Sequence, residues 1–178
     1  SMKYVVDLND LRLSDIDKVG GKSASLGEML QELTELGVNI PGGFAVTVDA
    51  YREFITSNGL EDEIRRLIGE CDVNDLVQLR KTGSQIREII REGEFPEHIR
   101  EEIKTAYYNL SQRYDQEITD VAVRSSATAE DLPDASFAGQ QETFLNVRGW
   151  KGVLTAVRNC FASLFTDRAI SVSYTHLR

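Results

Sequence analysis

Between residues 60 and 114 the apolar residues fall into sets spaced by three and four positions: Ile64/Leu67/Ile68, then Leu76/Leu79/Ile86/Ile89/Ile90, then Ile99/Ile103/Ala106/Tyr107/Leu110. That spacing gathers each set on one side of an α-helix and leaves the intervening charged residues on the solvated side. A run of amphipathic helices must fold against something, because no single helix buries its own stripe. Breaks are expected near Gly69 and Gly93, and Pro96 suits the first turn of the last helix. This stretch is packing rather than chemistry.

The pattern changes on either side. Residues 3–8 have the character of a short opening strand. After Val19-Gly20-Gly21-Lys22-Ser23, the residues Leu26, Met29, Leu30, Leu33 and Leu36 recur at helical spacing, and Gly37 stands where a left-handed C-terminal cap belongs. Pro41-Gly42-Gly43 is a turn and residues 44–48 a strand; Asp49 suits the cap of a helix that carries Tyr51, Phe54 and Ile55 and stops at Asn58-Gly59. In the last third, Val121-Ala122-Val123 and residues 142–147 are strands joined as a hairpin by a loop over 125–141. A closing helix over 149–168 carries Trp150, Val153, Leu154, Val157, Phe161, Leu164 and Phe165. Together these elements predict an α+β fold, with helices packed on a small mixed sheet.

The chain has 178 residues, of which 41% are hydrophobic and 28% charged, a globular composition with enough length for a core. A net charge of -9 disfavours nucleic acid as a partner. It leaves a small anion open, since that needs only one or two local cations and oriented backbone N–H groups. No apolar run approaches the roughly 20 residues of a membrane span, and the start has no signal-peptide pattern, so a cytoplasmic location with no membrane partner is expected. Cys71 and Cys160 stand apart from each other and from any metal-ligand spacing. Ser1 before Met2 has the look of a tag remnant, and residues 172–178, with no cap or stop signal, that of a truncation or cloning tail.

Two places can hold an anion. Gly20-Gly21-Lys22-Ser23 opens a helix, where free N–H groups, the positive dipole end and the Lys22 ammonium all favour phosphate. It is not a Walker A loop, because Ile16 stands where that pattern needs glycine. A plain turn with a solvated Lys22 is the competing reading. In the second place Arg124 leaves a strand towards the 125–141 loop, offering a planar set of donors. Gly139 would let backbone approach a ligand, and Thr143 could donate from the return strand. The competing reading there is a polar surface hairpin with Arg124 paired to Glu130 or Asp131. A loop of that length inside a compact domain is usually functional or disordered.

The runs Val19-Gly20-Gly21-Lys22-Ser23-Ala24-Ser25-Leu26-Gly27-Glu28-Met29, Pro41-Gly42-Gly43-Phe44-Ala45-Val46-Thr47, the whole of 123–147 and Phe161-Ala162-Ser163-Leu164-Phe165-Thr166-Asp167-Arg168-Ala169-Ile170-Ser171 resemble, in order, the N-terminal region of the phosphoenolpyruvate synthase family. Pyruvate phosphate dikinase and rifampin phosphotransferase carry related domains. The resemblance implies that residues 1–171 are the first part of an ATP-grasp-type nucleotide-binding domain. It implies that Lys22 and Arg124 hold ATP phosphates, with Gly139 and Thr143 at the phosphate-covering loop. It further implies ATP and Mg2+ as cofactors, and a gluconeogenic reaction of ATP, pyruvate and water to AMP, phosphoenolpyruvate and phosphate. The magnesium carboxylates, the carrier histidine and the pyruvate site are expected downstream of Arg178, so this chain holds no catalytic residue or metal ligand and is inactive alone. His98 and His176 lie outside the carrier-histidine context, and Glu130, Asp131 and Asp134 are loop solvation or pairing. The alternatives are a related phosphotransferase with another acceptor, a non-catalytic docking module, or a short reading frame without a function of its own.

Overall fold

The computed structural model describes residues 4–12, 27–29, 31, 37, 43–124 and 143–177. Strand β1 (Val5–Asp7) runs antiparallel to β2 (Phe44–Val46), with Val5 opposite Val46 and Asp7 opposite Phe44. A short 3-10 turn, Leu8–Asp10, follows β1, capped by the Asp7 carboxylate accepting from the Asn9 N–H. Four helices come next: α1 (Val48–Ser57), α2 (Leu60–Glu70), α3 (Leu76–Arg91) and α4 (Glu97–Arg113). Strands β3 (Asp120–Arg124) and β4 (Thr143–Arg148) form a second antiparallel pair, and α5 (Trp150–Ser163) and α6 (Asp167–Leu177) close the chain.

The α+β expectation holds in its coarse form, but the described residues carry two separate two-stranded antiparallel sheets rather than one mixed sheet. Helix α5 lies at the centre, packed on α3, α4 and the β3–β4 hairpin, while α6 packs on α2 and α3. Ile86 and Ile90 of α3 and Ile99 and Ile103 of α4 are fully buried, as their spacing requires, and so is Ile170 of α6. Phe54, Phe95 and Phe161 form a mutual ring cluster where α1, the α3–α4 connection and α5 meet. Among the described residues no helix is long and apolar enough to cross a membrane.

Several boundaries depart from the sequence expectation for identifiable reasons. Helix α1 is capped by Thr47, whose hydroxyl accepts from the Ala50 N–H at 3.4 Å, while Asp49 falls within the first turn. Thr47 wins because β2 ends at Val46 and the helix starts at once. Thr47→Ala is expected to cost about 1 kcal/mol through the lost cap, read as a lower urea midpoint at unchanged slope. The break expected near Gly69 comes one residue later, after Glu70, and the Asp75 side chain then accepts from the Val77 and Gln78 N–H groups and starts α3. Leu76, assigned to an apolar stripe, is the first residue of α3 and is 63% exposed. Met29, assigned likewise, is 48% exposed. Pro96 precedes α4 as its N-cap rather than lying in its first turn. Gly37 and Gly59 have the positive φ expected of helix-terminating glycines.

The single closing helix is in fact two. The chain leaves α5 after Ser163 and re-enters α6 at Asp167, and α6 runs to Leu177, across the 171/172 boundary where a tail was expected. Leu164 and Phe165 are buried within the break. Arg87 of α3 reaches across and donates to the Phe165 carbonyl at 2.7 Å, with Asp167 Oδ1 at 3.3 Å. That guanidinium thus ties α3 to the backbone of the break between α5 and α6.

Candidate phosphate-binding hairpin

The two strands of the hairpin are in register at Asp120–Arg148, Val121–Val147, Val123–Phe144 and Arg124–Thr143. Between the second and third of these rungs β4 contains one residue more than β3. Leu145 and Asn146 together face Ala122, and Asn146 takes a left-handed φ of 55°. The bulge resets the strand alternation, so Phe144 and Val147 are both half-buried although three positions apart. Val121, Val123 and Val147 pack against the core, while Ala122, Leu145 and Asn146 are exposed.

Beyond the bulge, the ladder brings Arg124 and Thr143 to one rung at the open end. This is the pair of site positions that the sequence singles out and the structure places together. Thr143 is exposed, and Arg124 is placed by its backbone. Lys22 and Gly139 lie outside the described residues, as do Glu130, Asp131 and Asp134. Among the described residues no group of three or more His, Cys, Asp or Glu side chains gathers in one place. His98 is exposed on α4, with Nε2 4.0 Å from Glu53 and its ring against Tyr4.

The feet of the hairpin are fastened to α4. The Tyr107 hydroxyl donates to the Thr119 carbonyl at 2.6 Å and accepts from the Gly149 N–H at 2.8 Å. Ser111, one turn further along the same helix, accepts from the Thr119 N–H at 3.3 Å. Gly149 has a φ of 80°, a conformation that glycine adopts without the Cβ penalty. On the exposed side, Arg148 and Asp120 pair across the first rung at 3.0 Å.

Helix α4 also fastens the other end of the chain. Glu102 accepts from the Tyr4 and Val5 N–H groups at 3.0 and 3.3 Å, and Arg113 pairs with Asp7. The helical spacing predicts solvated faces for Glu102, Arg113 and Arg87; the structure corrects this, since each ties its helix to a distant segment. The segment downstream of Lys22 rests on the same platform: Gln31 donates to the Asn9 carbonyl at 2.7 Å, and the backbone of Gly27 lies against Leu8 and Leu11. Sequence periodicity missed these ties because it registers the apolar stripe and not what a polar atom at its edge reaches. The one signal was a tyrosine on a buried stripe, whose hydroxyl must find a partner.

Residues 16–176 of this mixed helix-and-hairpin chain match the pyruvate phosphate dikinase, AMP/ATP-binding domain family. The chain belongs to that family. Among its relatives, it is 54% identical to the phosphoenolpyruvate synthase of Aquifex aeolicus over 170 residues, 96% of this chain and 20% of that protein. It is 52% identical to that of Escherichia coli K12 over 171 residues, 96% of this chain and 21% of that protein. With the probable phosphoenolpyruvate synthase of Methanocaldococcus jannaschii it shares 49% identity over 170 residues, 96% of this chain and 14% of that protein. The chain thus spans about a fifth or less of the length of these curated relatives.

Proposed function

We propose that this chain is the opening part of the ATP-binding domain of a phosphoenolpyruvate synthase, of ATP-grasp type, and that Lys22, Arg124, Gly139 and Thr143 hold and cover the nucleotide's phosphates. The observation that supports it is the Arg124–Thr143 rung, which sets a cation-bearing position and a hydroxyl-bearing one side by side where the strands open. A guanidinium offers a polyphosphate parallel charge-assisted hydrogen bonds, and a lysine adds a mobile positive charge. Thr143 is exposed, and its hydroxyl is suited to donate to a phosphate oxygen. Gly139 would admit close backbone approach. These groups bind and offset charge on the transferring phosphates; they do not act as bases.

In this reading the whole protein converts ATP, pyruvate and water to AMP, phosphoenolpyruvate and phosphate in the cytoplasm, in a gluconeogenic role. Mg2+ accompanies the nucleotide and neutralises part of its charge, held by carboxylates outside this chain. Pyruvate and the phosphoryl-carrying histidine likewise belong to other domains, so this chain alone binds without turning over. Calorimetric titration with ATP and with pyrophosphate tests the assignment. Lys22→Ala and Arg124→Ala are each expected to weaken binding of both ligands by about tenfold, the size of one charge-assisted contact. Binding that survives unchanged in the double variant means other groups hold the phosphates.

A further inference from the structure

We infer that Tyr107 is a positioning residue for the phosphate-binding end of the hairpin, a role that rests on the site reading above. Its hydroxyl touches backbone just outside both feet: Thr119 precedes the first residue of β3 and Gly149 follows the last residue of β4. A hydroxyl has one proton to give and lone pairs to accept with, and here it does both within a site where Tyr107 is only 3% exposed. One buried oxygen therefore closes the hairpin base from below, opposite the exposed Asp120–Arg148 pair.

The apolar packing of Val121, Val123 and Val147 on the core decides which face of the hairpin turns inward and so opposes a one-residue slip, but it is non-directional and does not by itself hold the strand ends in place. Register is what sets Arg124 beside Thr143, and a one-residue slip would send side chains to opposite faces. The bulge at Leu145–Asn146 is the place where such a slip is easiest, since the ladder is already interrupted there. Hydrogen bonds at the feet oppose it, because they are directional and fix Thr119 and Gly149 relative to one point on α4. The rung at issue lies four residues along β3 from Asp120, roughly 13 Å up the ladder. Tyr107 thus acts through the backbone and does not itself reach the phosphates.

Tyr107→Phe keeps the ring and removes only the hydroxyl. Amide hydrogen exchange of the chain, followed residue by residue, is expected to quicken about tenfold at the hairpin rungs up to Arg124–Thr143 and to stay unchanged in α2 and α3. Arg148→Ala, which removes the exposed pair at the same base, is expected to change hairpin exchange less than about twofold. In parallel, the ATP dissociation constant of Tyr107→Phe should rise severalfold. Unchanged hairpin exchange overturns the inference, and so does faster exchange spread evenly over all helices, which is general destabilisation. Local quickening with unaltered ATP affinity, while Arg124→Ala weakens binding, also overturns it and leaves the phosphate site standing. If neither variant alters ATP affinity, the phosphate site itself is wrong and the positioning role falls with it.

Discussion

Phe54→Ala is expected to lower the unfolding free energy by about 3–5 kcal/mol, read from the urea midpoint of the far-ultraviolet signal with little change in slope. Phe54 is 0% exposed, and its ring centroid lies 4.9 Å from that of Phe95 and 5.4 Å from that of Phe161. Those three rings come from α1, the α3–α4 connection and α5, so removing one loosens three elements at once. The cost belongs at the upper end of the range because the hole cannot close easily. On one side stands backbone: a Cβ added at Gly93 would come within 2.5 Å of Phe54 Cζ, so the ring already fills the space against the chain. Leu145→Ala is the contrasting case. At 68% exposed, Leu145 holds nothing in place, and its loss should stay within about 0.5 kcal/mol.

That contrast follows the line between what periodicity reveals and what it hides. Phe54, Ile86, Ile90, Ile99 and Ile103 were legible as core because burial on a helix needs only spacing, and spacing is written in the chain. Leu76 and Met29 share the spacing but lie exposed, and Leu76 shows why: as the first residue of α3 it has no preceding turn to pack it in. The break between α5 and α6 was invisible for a tertiary reason. Leu164 and Phe165 continue the apolar rhythm, while the arginine that stabilises the break lies far away in sequence at Arg87. Strand existence was legible at 121–123 and 142–147, but the number of sheets was not, because composition does not name a strand's partner.

The site divides in the same way. Arg124 and Thr143 were singled out by residue type and by a family resemblance, and the hairpin register then placed them on one rung. Tyr107, Glu102 and Arg113 escaped notice, although one helix uses all three to hold both β1 and the hairpin feet. Their partners are backbone groups and a carboxylate brought near only by folding. An apolar stripe fixes where α4 lies; the polar residues along its edges determine what else is kept in position relative to it.

Gly27→Ala should be the most damaging conservative change near the lysine-bearing segment, at about 3 kcal/mol of stability. An alanine methyl at Gly27 would overlap the Leu8 carbonyl oxygen, while also lying 2.9 Å from Leu11 Cβ and 3.2 Å from the Leu11 carbonyl oxygen. Two of these three atoms are backbone and cannot swing aside. Gly83 shows the difference: its added methyl would meet Asp167 Oδ1 and the Arg87 guanidinium, side-chain ends able to move at the expense of their pairing. At Gly27 relief must come from a shift of the helical segment 27–29 away from the Leu8–Asp10 turn, which also strains the Gln31 contact with Asn9. The expected result is therefore a lower urea midpoint. Serine at Gly27 should behave like alanine, since the clash is with the first side-chain carbon. A midpoint within about 0.5 kcal/mol of the unaltered chain would mean that the helix sits farther from Leu8 than the structure places it.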